Sequence, residues 1–339
     1  MERYVWELTH ALAADGHPVT VLCERLHAAA PAGIEVHELG EVAPRPRWLA
    51  LLRFSRRVER WLREHPQPAA VIHSHERLGV HQVTTFHGPP FATVFERPWW
   101  RRLSLRVRMQ LWLERRELLG PGVRAVVPNS PLIAQQLLRY YPAVRECLTT
   151  PVPPGVAAGP ARPARLVPAD GGVVGFVGKE FKRKGLEQAV AIVAELRRRR
   201  PRAELWVVGP DPAEVELLFA GWSGGYRLLG WSSDPAVYAQ MDLLLHPARA
   251  EPYGMVVAEA MAAAVPVVIS DRCGIAPDVS PQAGSVLSID APVEEWITAC
   301  ERRLSHDDPP PRFVRGWQQV AAEQLAIYRG RLTAQRATR

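Results

Sequence analysis

Short apolar runs alternate with mixed apolar and polar segments along this chain, and the clearest alternation lies in residues 241–270. The run MDLLLH has the length of a buried parallel strand, and the segment from Pro247 to Tyr253 has the composition of a turn. A helix, MVVAEAMAAA, is predicted directly after Gly254, and VPVVIS predicts a second buried strand. The predicted order is therefore strand, turn, helix and strand.

The same alternation continues on both sides of this stretch. Amphipathic helices are predicted for ERYVWELTHALAADGH near the start and for FVRGWQQVAAEQLAIYRGRL near the end. Strands are predicted for PVTVLCE, IEVHELG, AAVIHSH, VTTFH, VVGFVG and AELWVVG. Such alternation indicates an α/β fold in which parallel sheets carry helices on both faces.

A Pro-rich segment, AAGPARPARLVPADGG, has the composition of a loop and marks a domain boundary. At 339 residues, the chain is long enough for two domains. We predict an amino-terminal domain over residues 1–157, a carboxyl-terminal domain over residues 158–312 and a terminal helix within residues 313–339.

Composition and charge narrow the class of protein. Hydrophobic residues make up 47% of the chain and charged residues 23%, which is typical of a globular protein. The four cysteines form no C-x-x-C pair, so neither a zinc site nor a disulfide framework is expected. Neither a signal peptide nor an apolar run of about 18 residues is found. The net charge of +7 permits binding to nucleic acid or to an anionic membrane, but the chain contains no recognised nucleic-acid motif.

Two carboxylates, Glu251 and Glu259, flank the predicted start of the helix after Gly254. The free N–H groups and the positive dipole end of a helix form an anion site, so the pattern predicts phosphate binding between two carboxylates. Alternatively, each Glu is an ordinary solvated side chain, as most charged helix residues are. The apolar neighbours of Glu259 weaken that alternative, because an apolar environment is costly for an unpaired carboxylate.

A second candidate is the segment VVGFVGKEFKRKG, in which Gly175 and Gly178 permit close approach of the backbone. Arg183 and Lys184 precede a predicted helix, where they could neutralise a diphosphate leaving group. Solvated basic side chains are the alternative. The chain contains no D-x-D motif, so we expect these two cations to act in place of a divalent metal and expect neither a metal nor a cofactor.

The segment from Arg97 to Arg116 carries seven Arg and three Trp residues. Trp rings and Arg side chains together suit the headgroup region of an anionic bilayer. The segment therefore predicts a membrane-binding surface, with a solvated basic helix packed on its own domain as the alternative.

Histidines end two of the predicted strands. His87 closes VTTFH, where it is either a site residue or a structural strand-end histidine. His73 and His75 share a face of their strand at metal-ligand spacing. We expect polar strand-end residues there rather than a metal site.

The segment E-P-Y-G-M-V-V-A-E, from Glu251 to Glu259, resembles the E-x7-E motif of the retaining GT-B glycosyltransferases of family 4. The T-F-H ending at His87 and the linker TTPVPPGV are similar to segments of the same family. The basic segment resembles the membrane-docking segment of its lipopolysaccharide core glucosyltransferases. This resemblance implies two Rossmann-like, doubly wound parallel-sheet domains facing a cleft, with the terminal helix crossing back to the amino-terminal domain.

The resemblance also implies roles for individual residues. Glu259 would bind the ribose hydroxyls of a nucleotide sugar, Glu251 the donor sugar, and Trp231 would lie near the base. Arg183 and Lys184 would stabilise the departing diphosphate, while His87 would face the donor sugar from the acceptor side. The implied donor-binding residues are Gly178, Trp231, Tyr253, Gly254, Met255, Val256 and Glu259.

The expected function is transfer of a hexose, with retention, from a nucleotide-diphosphate sugar, and a UDP-sugar is the expected donor. The expected acceptor is lipopolysaccharide core or another cell-envelope glycan, at the cytoplasmic face of the plasma membrane. Three departures from the family favour the alternative of a non-catalytic, membrane-associated relic. Pro131 and Pro154 replace the family's Glu and Asn, and Met1 stands where a first strand and glycine loop would end, so we expect the amino-terminal sheet to lack an inner strand.

Overall fold

A computed structural model describes residues 2–29, 31–157, 159–306 and 308–333. The chain forms two compact units. The amino-terminal unit comprises Met1–Gly155 and Gly316–Arg339, and the carboxyl-terminal unit comprises Val156–Arg315. Both boundaries lie close to those predicted from the sequence. The terminal helix belongs to the amino-terminal unit.

The carboxyl-terminal unit is built on six parallel strands. They are β6 (Gly171–Val177), β7 (Arg202–Val208), β8 (Tyr226–Gly230), β9 (Leu243–His246), β10 (Val267–Ser270) and β11 (Gly284–Leu287). Their order in the sheet is β11-β10-β9-β6-β7-β8, so the first strand lies in the middle. Every residue of β9 and β10 is buried, as expected for strands with helices on both faces.

The helices of this unit cover the two faces of the sheet. They are α5 (Phe181–Lys184), α6 (Leu186–Leu196), α7 (Pro212–Val215), α8 (Ala236–Ala239), α9 (Met255–Ala262) and α10 (Val293–Leu304). Apolar side chains of α6 and α10 share one core cluster with the sheet. Those of α8 and α9 share a second cluster. The strand–turn–helix–strand pattern of residues 241–270 is thus β9, its following turn, α9 and β10.

The amino-terminal unit contains five strands in two separate sheets. The strands are β1 (Val19–Cys23), β2 (Ile34–Glu38), β3 (His73–Ser74), β4 (Val83–Phe86) and β5 (Ala125–Pro128). β1 pairs with β2, and the second sheet has the order β3-β4-β5, all parallel. Among the residues described, no strand joins the β1-β2 pair to the β3-β4-β5 sheet.

Among the described residues, five α-helices complete the amino-terminal unit. They are α1 (Glu2–Ala14), α2 (Arg47–Glu64), α3 (Leu105–Leu119), α4 (Pro131–Tyr140) and α11 (Trp317–Thr333). The terminal helix α11 packs on α1, where Trp317 and Val320 join Tyr4 and Leu8 in one core cluster. A Cβ on Gly155 would lie 2.8 Å from the Trp317 ring, so a larger residue there would displace this helix.

Candidate functional site

The predicted leaving-group cations meet the first motif carboxylate at the carboxyl edge of the six-stranded sheet. Glu251 is only 8% exposed. Its Oε2 atom lies 3.5 Å from Arg183 Nη1 and 3.7 Å from Lys184 Nζ. Burial alone would raise the pKa of Glu251, but neighbouring His246, Lys184 and Arg183 together lower it to about 2. Glu251 is therefore an ionised carboxylate held against two cations.

His246, the last residue of β9, is the third neighbour of this carboxylate. It is fully buried, and its Nε2 atom lies 3.5 Å from Glu251 Oε2. Burial lowers the pKa of His246, so the ring is neutral at neutral pH. His246 is not among the residues predicted from the sequence, although its place at the carboxyl end of a buried strand is a usable signal.

Gly178 makes room for one of the two cations. It has a φ of +148°, and a Cβ at this position would lie 2.2 Å from Lys184 Cδ and 2.7 Å from its Nζ. The sequence had suggested that Gly178 lets the backbone approach a ligand. In the structure, the Lys184 side chain occupies the space where a Cβ of residue 178 would lie, and its Nζ is 3.7 Å from Glu251 Oε2.

The helix α9 begins at this edge of the sheet. Gly254 has a φ of +115°, in the left-handed region that favours glycine, and directly precedes Met255. The amides of Met255 and Val256 are in the first turn, where a helix leaves N–H groups without intrahelical partners. A positive helix end therefore follows Glu251 in the chain, as an anion site requires.

Glu259, the second carboxylate of the motif, is held in place by a tyrosine. Tyr238, in α8, is 6% exposed and donates a hydrogen bond of 2.7 Å from its hydroxyl to Glu259 Oε2. Glu259 itself is half-buried. Hydrogen bonds to a carboxylate are stronger than neutral ones, so this contact orients Glu259. Tyr238 was also absent from the predicted site, because no local pattern reveals a partner 21 residues away.

Two aromatic candidates have different environments. Trp231, just after β8, is 66% exposed, and Lys179 Nζ lies 5.2 Å from its ring centroid. This geometry is a cation–π contact at an open ring face. Tyr253 is only 2% exposed and its ring lies in the hydrophobic core beneath α9. Its ring is therefore part of the core, while its hydroxyl has no hydrogen-bond partner among the described residues.

His87 belongs to the amino-terminal unit, directly after β4. Its Nε2 atom lies 3.0 Å from His75 Nδ1, and the Tyr4 ring meets it edge-on with centroids 4.8 Å apart. Burial lowers the pKa of His87 to about 3, so the ring is neutral at neutral pH. His87 thus has one ring nitrogen occupied by a second histidine.

His73, one of the two histidines at metal-ligand spacing, has hydrogen-bonding partners at both ring nitrogens. Its Nδ1 atom lies 2.6 Å from the Tyr328 hydroxyl and its Nε2 atom 2.8 Å from Thr85 Oγ1. Within the described ranges, no group of three His, Cys, Asp or Glu side chains is placed to hold a metal ion. Both ring nitrogens of His73 therefore lie within hydrogen-bonding distance of hydroxyl groups.

Two glycosyltransferase family models match adjacent parts of the chain. Residues 1–158 match "Glycosyltransferase Family 4", and residues 171–306 match "Glycosyl transferases group 1". The Glu251 and Glu259 carboxylates, Arg183 and Lys184 all lie in the second match.

Similar proteins include several transferases. The chain is 30% identical over 237 residues to a D-inositol 3-phosphate glycosyltransferase of Segniliparus rotundus, covering 61% of this chain and 52% of that one. It is 36% identical over 105 residues to the lipopolysaccharide glucosyltransferase WaaG of Escherichia coli, covering 30% of this chain and 28% of that one. The chain thus spans about half the length of the first of these relatives.

A solved structure of WaaG has the same fold. The two structures have a TM-score of 0.74 at 21% identity, and the alignment covers 96% of this chain and 90% of that one. At this identity, the likeness establishes the two-domain fold.

Proposed function

We propose, from the premise that the chain belongs to the GT-B glycosyltransferases, that it transfers a hexose from a nucleotide-diphosphate sugar with retention of configuration. One observation carries this proposal. The buried, ionised Glu251 lies within 3.7 Å of both Arg183 and Lys184, just before the start of α9. This cluster offers an anion two fixed cations and a helix end, and offers a sugar hydroxyl a carboxylate.

Most of the predicted donor residues have a role in the proposal, and Gly178 and Tyr253 are the exceptions. Arg183, Lys184 and the first amides of α9 bind the diphosphate, while Glu259 accepts hydrogen bonds from the ribose hydroxyls. The Trp231 ring stacks on the base, and Glu251 binds a hydroxyl of the transferred hexose. A UDP-sugar is the proposed donor, in line with the family resemblance.

The chemical step breaks the bond between the sugar C1 atom and the diphosphate oxygen and joins C1 to an acceptor oxygen. The acceptor proton passes to the departing diphosphate, whose negative charge Arg183 and Lys184 stabilise. Because two fixed cations can carry this charge, we propose a reaction without a divalent metal or a cofactor. His87 is the proposed acceptor-side residue of the amino-terminal unit.

The proposed acceptor is lipopolysaccharide core or another cell-envelope glycan. Its support is the likeness to WaaG and the exposed aromatic surface of the basic segment. Trp99 and Trp100 are 65% and 60% exposed, and Leu103 and Leu105 are 69% and 64% exposed. In the part of the chain that the structure describes, no helix has the length and apolarity to cross a bilayer. We propose peripheral binding of this surface to an anionic membrane, at its cytoplasmic face.

Donor binding and hydrolysis across a panel of nucleotide sugars, with EDTA present, test the proposal. We expect one donor to bind and to be hydrolysed, both properties to be lost in Glu259→Ala, and both to remain in Glu295→Ala. Glu295 is an exposed carboxylate of α10 and serves as the matched control.

Other outcomes would contradict particular parts. If no nucleotide sugar binds, the transferase proposal fails. If turnover requires a divalent metal, only the metal-independent mechanism fails. Binding of donor without turnover, even when acceptors are supplied, would favour the non-catalytic alternative.

A further inference from the structure

A cavity of about 140 Å³ lies in the amino-terminal unit, beside the carboxyl ends of β3 and β4. Its lining includes His75, Glu76, Arg77, His87 and Glu117. A water molecule occupies about 30 Å³ in the liquid, so the space suits several waters or one edge of a sugar ring. The lining is rich in hydrogen-bonding groups, as a binding site for hydroxyl groups requires.

The one arginine of this lining is already neutralised. Arg77 donates from Nη2 to Glu114 Oε1 at 2.9 Å and from Nη1 to Gln110 Oε1 at 2.5 Å. Its Nε atom lies 3.7 Å from Glu117 Oε2. Glu114 is fully buried, so this ion pair is shielded from water. Arg77 therefore offers little attraction for an added anion.

The two histidines add no positive charge. Burial lowers the pKa of His75 well below its usual value, and that of His87 to about 3. Both rings are neutral at neutral pH, and the Nδ1 atom of His75 is already paired with His87. A phosphate in this cavity would meet carboxylates without a free cation to balance its charge.

Glu117 lies on the buried face of α3, and one of its carboxylate oxygens, Oε2, accepts no hydrogen bond within the described part of the chain. The residue is 4% exposed, and its Oε1 accepts a hydrogen bond of 3.0 Å from Thr84 Oγ1. Its Oε2 has no hydrogen-bond partner among the described residues. Burial raises the pKa of Glu117 to about 7, against the opposing effect of Arg77. Buried polar atoms are nearly always paired, so a hydroxyl or amine donor from a ligand fits this position.

We propose that this cavity binds the hydroxyl- or amine-bearing edge of an unphosphorylated acceptor sugar, with Glu117 as the hydrogen-bond acceptor. The proposal rests on the proposed function, because it assigns the cavity to the acceptor of that reaction. It adds a selection rule: a phosphate group on the bound edge is rejected.

Ligand-observed NMR on the full chain, in the presence of UDP, tests this rule. The probes are D-glucose, D-glucosamine and D-glucose 6-phosphate, which share a ring but differ in charge. We expect glucose and glucosamine to bind, and glucose 6-phosphate to bind at least tenfold more weakly. In Glu117→Gln, a neutral amide replaces the carboxylate whose Oε2 lacks a hydrogen bond among the described residues, so affinity for glucose and glucosamine should fall about tenfold.

The control is Glu64→Gln, which changes an exposed carboxylate of α2 in the same unit and should leave binding unchanged. If Glu117→Gln fails to fold, Glu76→Gln tests the same wall of the cavity. Tight binding of glucose 6-phosphate, no binding of any probe, or full binding by the folded variant would overturn the proposal. UDP binding, measured in the same samples, reports separately on the donor site, so failure of the proposed function is distinguishable.

Discussion

Removal of the Tyr238 hydroxyl tests the donor site most directly. Tyr238→Phe removes the hydroxyl that donates to Glu259 at 2.7 Å and leaves the buried ring in place. A hydrogen bond to a charged group contributes about 1.5–3 kcal/mol, so we expect the affinity for UDP to fall about tenfold. Isothermal titration calorimetry measures this change.

A change in the orientation of Glu259 should also change the selectivity of the donor site between nucleotides. If Tyr238 orients Glu259 toward the ribose, Tyr238→Phe will discriminate less between UDP and its 2′-deoxy counterpart than the wild type does. Tyr226→Phe is the control, since Tyr226 stacks on Phe219 in the core of the same unit. Unchanged discrimination in Tyr238→Phe would show that the tyrosine is only structural.

A substitution at Gly178 tests whether the position of Lys184 matters for turnover. In Gly178→Ala the new methyl group would lie 2.2 Å from Lys184 Cδ, and the positive φ disfavours any residue with a side chain. We expect Lys184 to be displaced from Glu251 and donor turnover to fall at least tenfold. Gly221→Ala is the matched control, because a Cβ there has no neighbour within 4 Å. Equal turnover in both variants would contradict a role for Lys184.

Chain order itself carries part of the geometry of the candidate site. Arg183, Lys184 and Glu251 follow strand ends of one parallel sheet, and the structure brings them together. His246 and Tyr238 were missed, because their roles depend on contacts between elements. Tyr253 was selected with its motif, but packing decides whether an aromatic ring faces the core or a ligand.

At the scale of elements, the basic segment differs from the single helix that its composition suggested. Trp99–Leu103 is a 3₁₀ helix, and α3 begins at Leu105 after an extended Ser104. In helix α3, Leu113 and Leu118 are buried, whereas Leu105 is exposed. The segment thus has one face packed on its own unit and one exposed basic and aromatic face, and membrane binding by the exposed face stays a prediction.

The exposed face is testable with vesicles. In the double variant Trp99→Ser and Trp100→Ser, two rings that are more than half exposed are removed, so thermal stability should change little. We expect binding to phosphatidylglycerol vesicles, measured by co-sedimentation, to fall about tenfold, because Trp anchors proteins in the headgroup region. Binding by the wild type should weaken with salt.

The control for this experiment is Trp231→Ser, which removes an equally exposed ring from the carboxyl-terminal unit. It should bind vesicles as the wild type does. If the double variant binds as well as the wild type, the membrane proposal for this segment is wrong.

At the scale of the whole molecule, alternation of strands and helices was enough to predict two parallel α/β units. Strand order was not available from the pattern, because pairing joins segments far apart in sequence. The order β11-β10-β9-β6-β7-β8 and the division of the other unit into two sheets emerge only from the structure. The site depends on this order, since β6 and β9 must be neighbours for Lys184 to reach Glu251.

Buried histidines in the amino-terminal unit should make the stability of the molecule depend on pH. Burial lowers the pKa of His73 and His75 well below 6.5, and that of His87 to about 3. The unfolded chain therefore binds protons that the native state does not, so stability is full above pH 6.5 and declines as the pH falls toward 3. Each net proton contributes about 1.4 kcal/mol per pH unit.

Glu117 acts in the opposite direction, because its raised pKa of about 7 favours the native state at lower pH. Burial also lowers the pKa values of His81 and His246 and raises those of Glu76 and Asp278. Five histidines outweigh three carboxyl groups, so we expect the calorimetric unfolding temperature to fall as the pH is lowered from 6.5 to 4.5. His75→Gln should flatten this decline, since one buried titrating ring is removed, whereas His27→Gln, at an exposed position, should not. An unfolding temperature that stays constant or rises as the pH is lowered from 6.5 to 4.5 would show that the buried histidines bind protons in the native state.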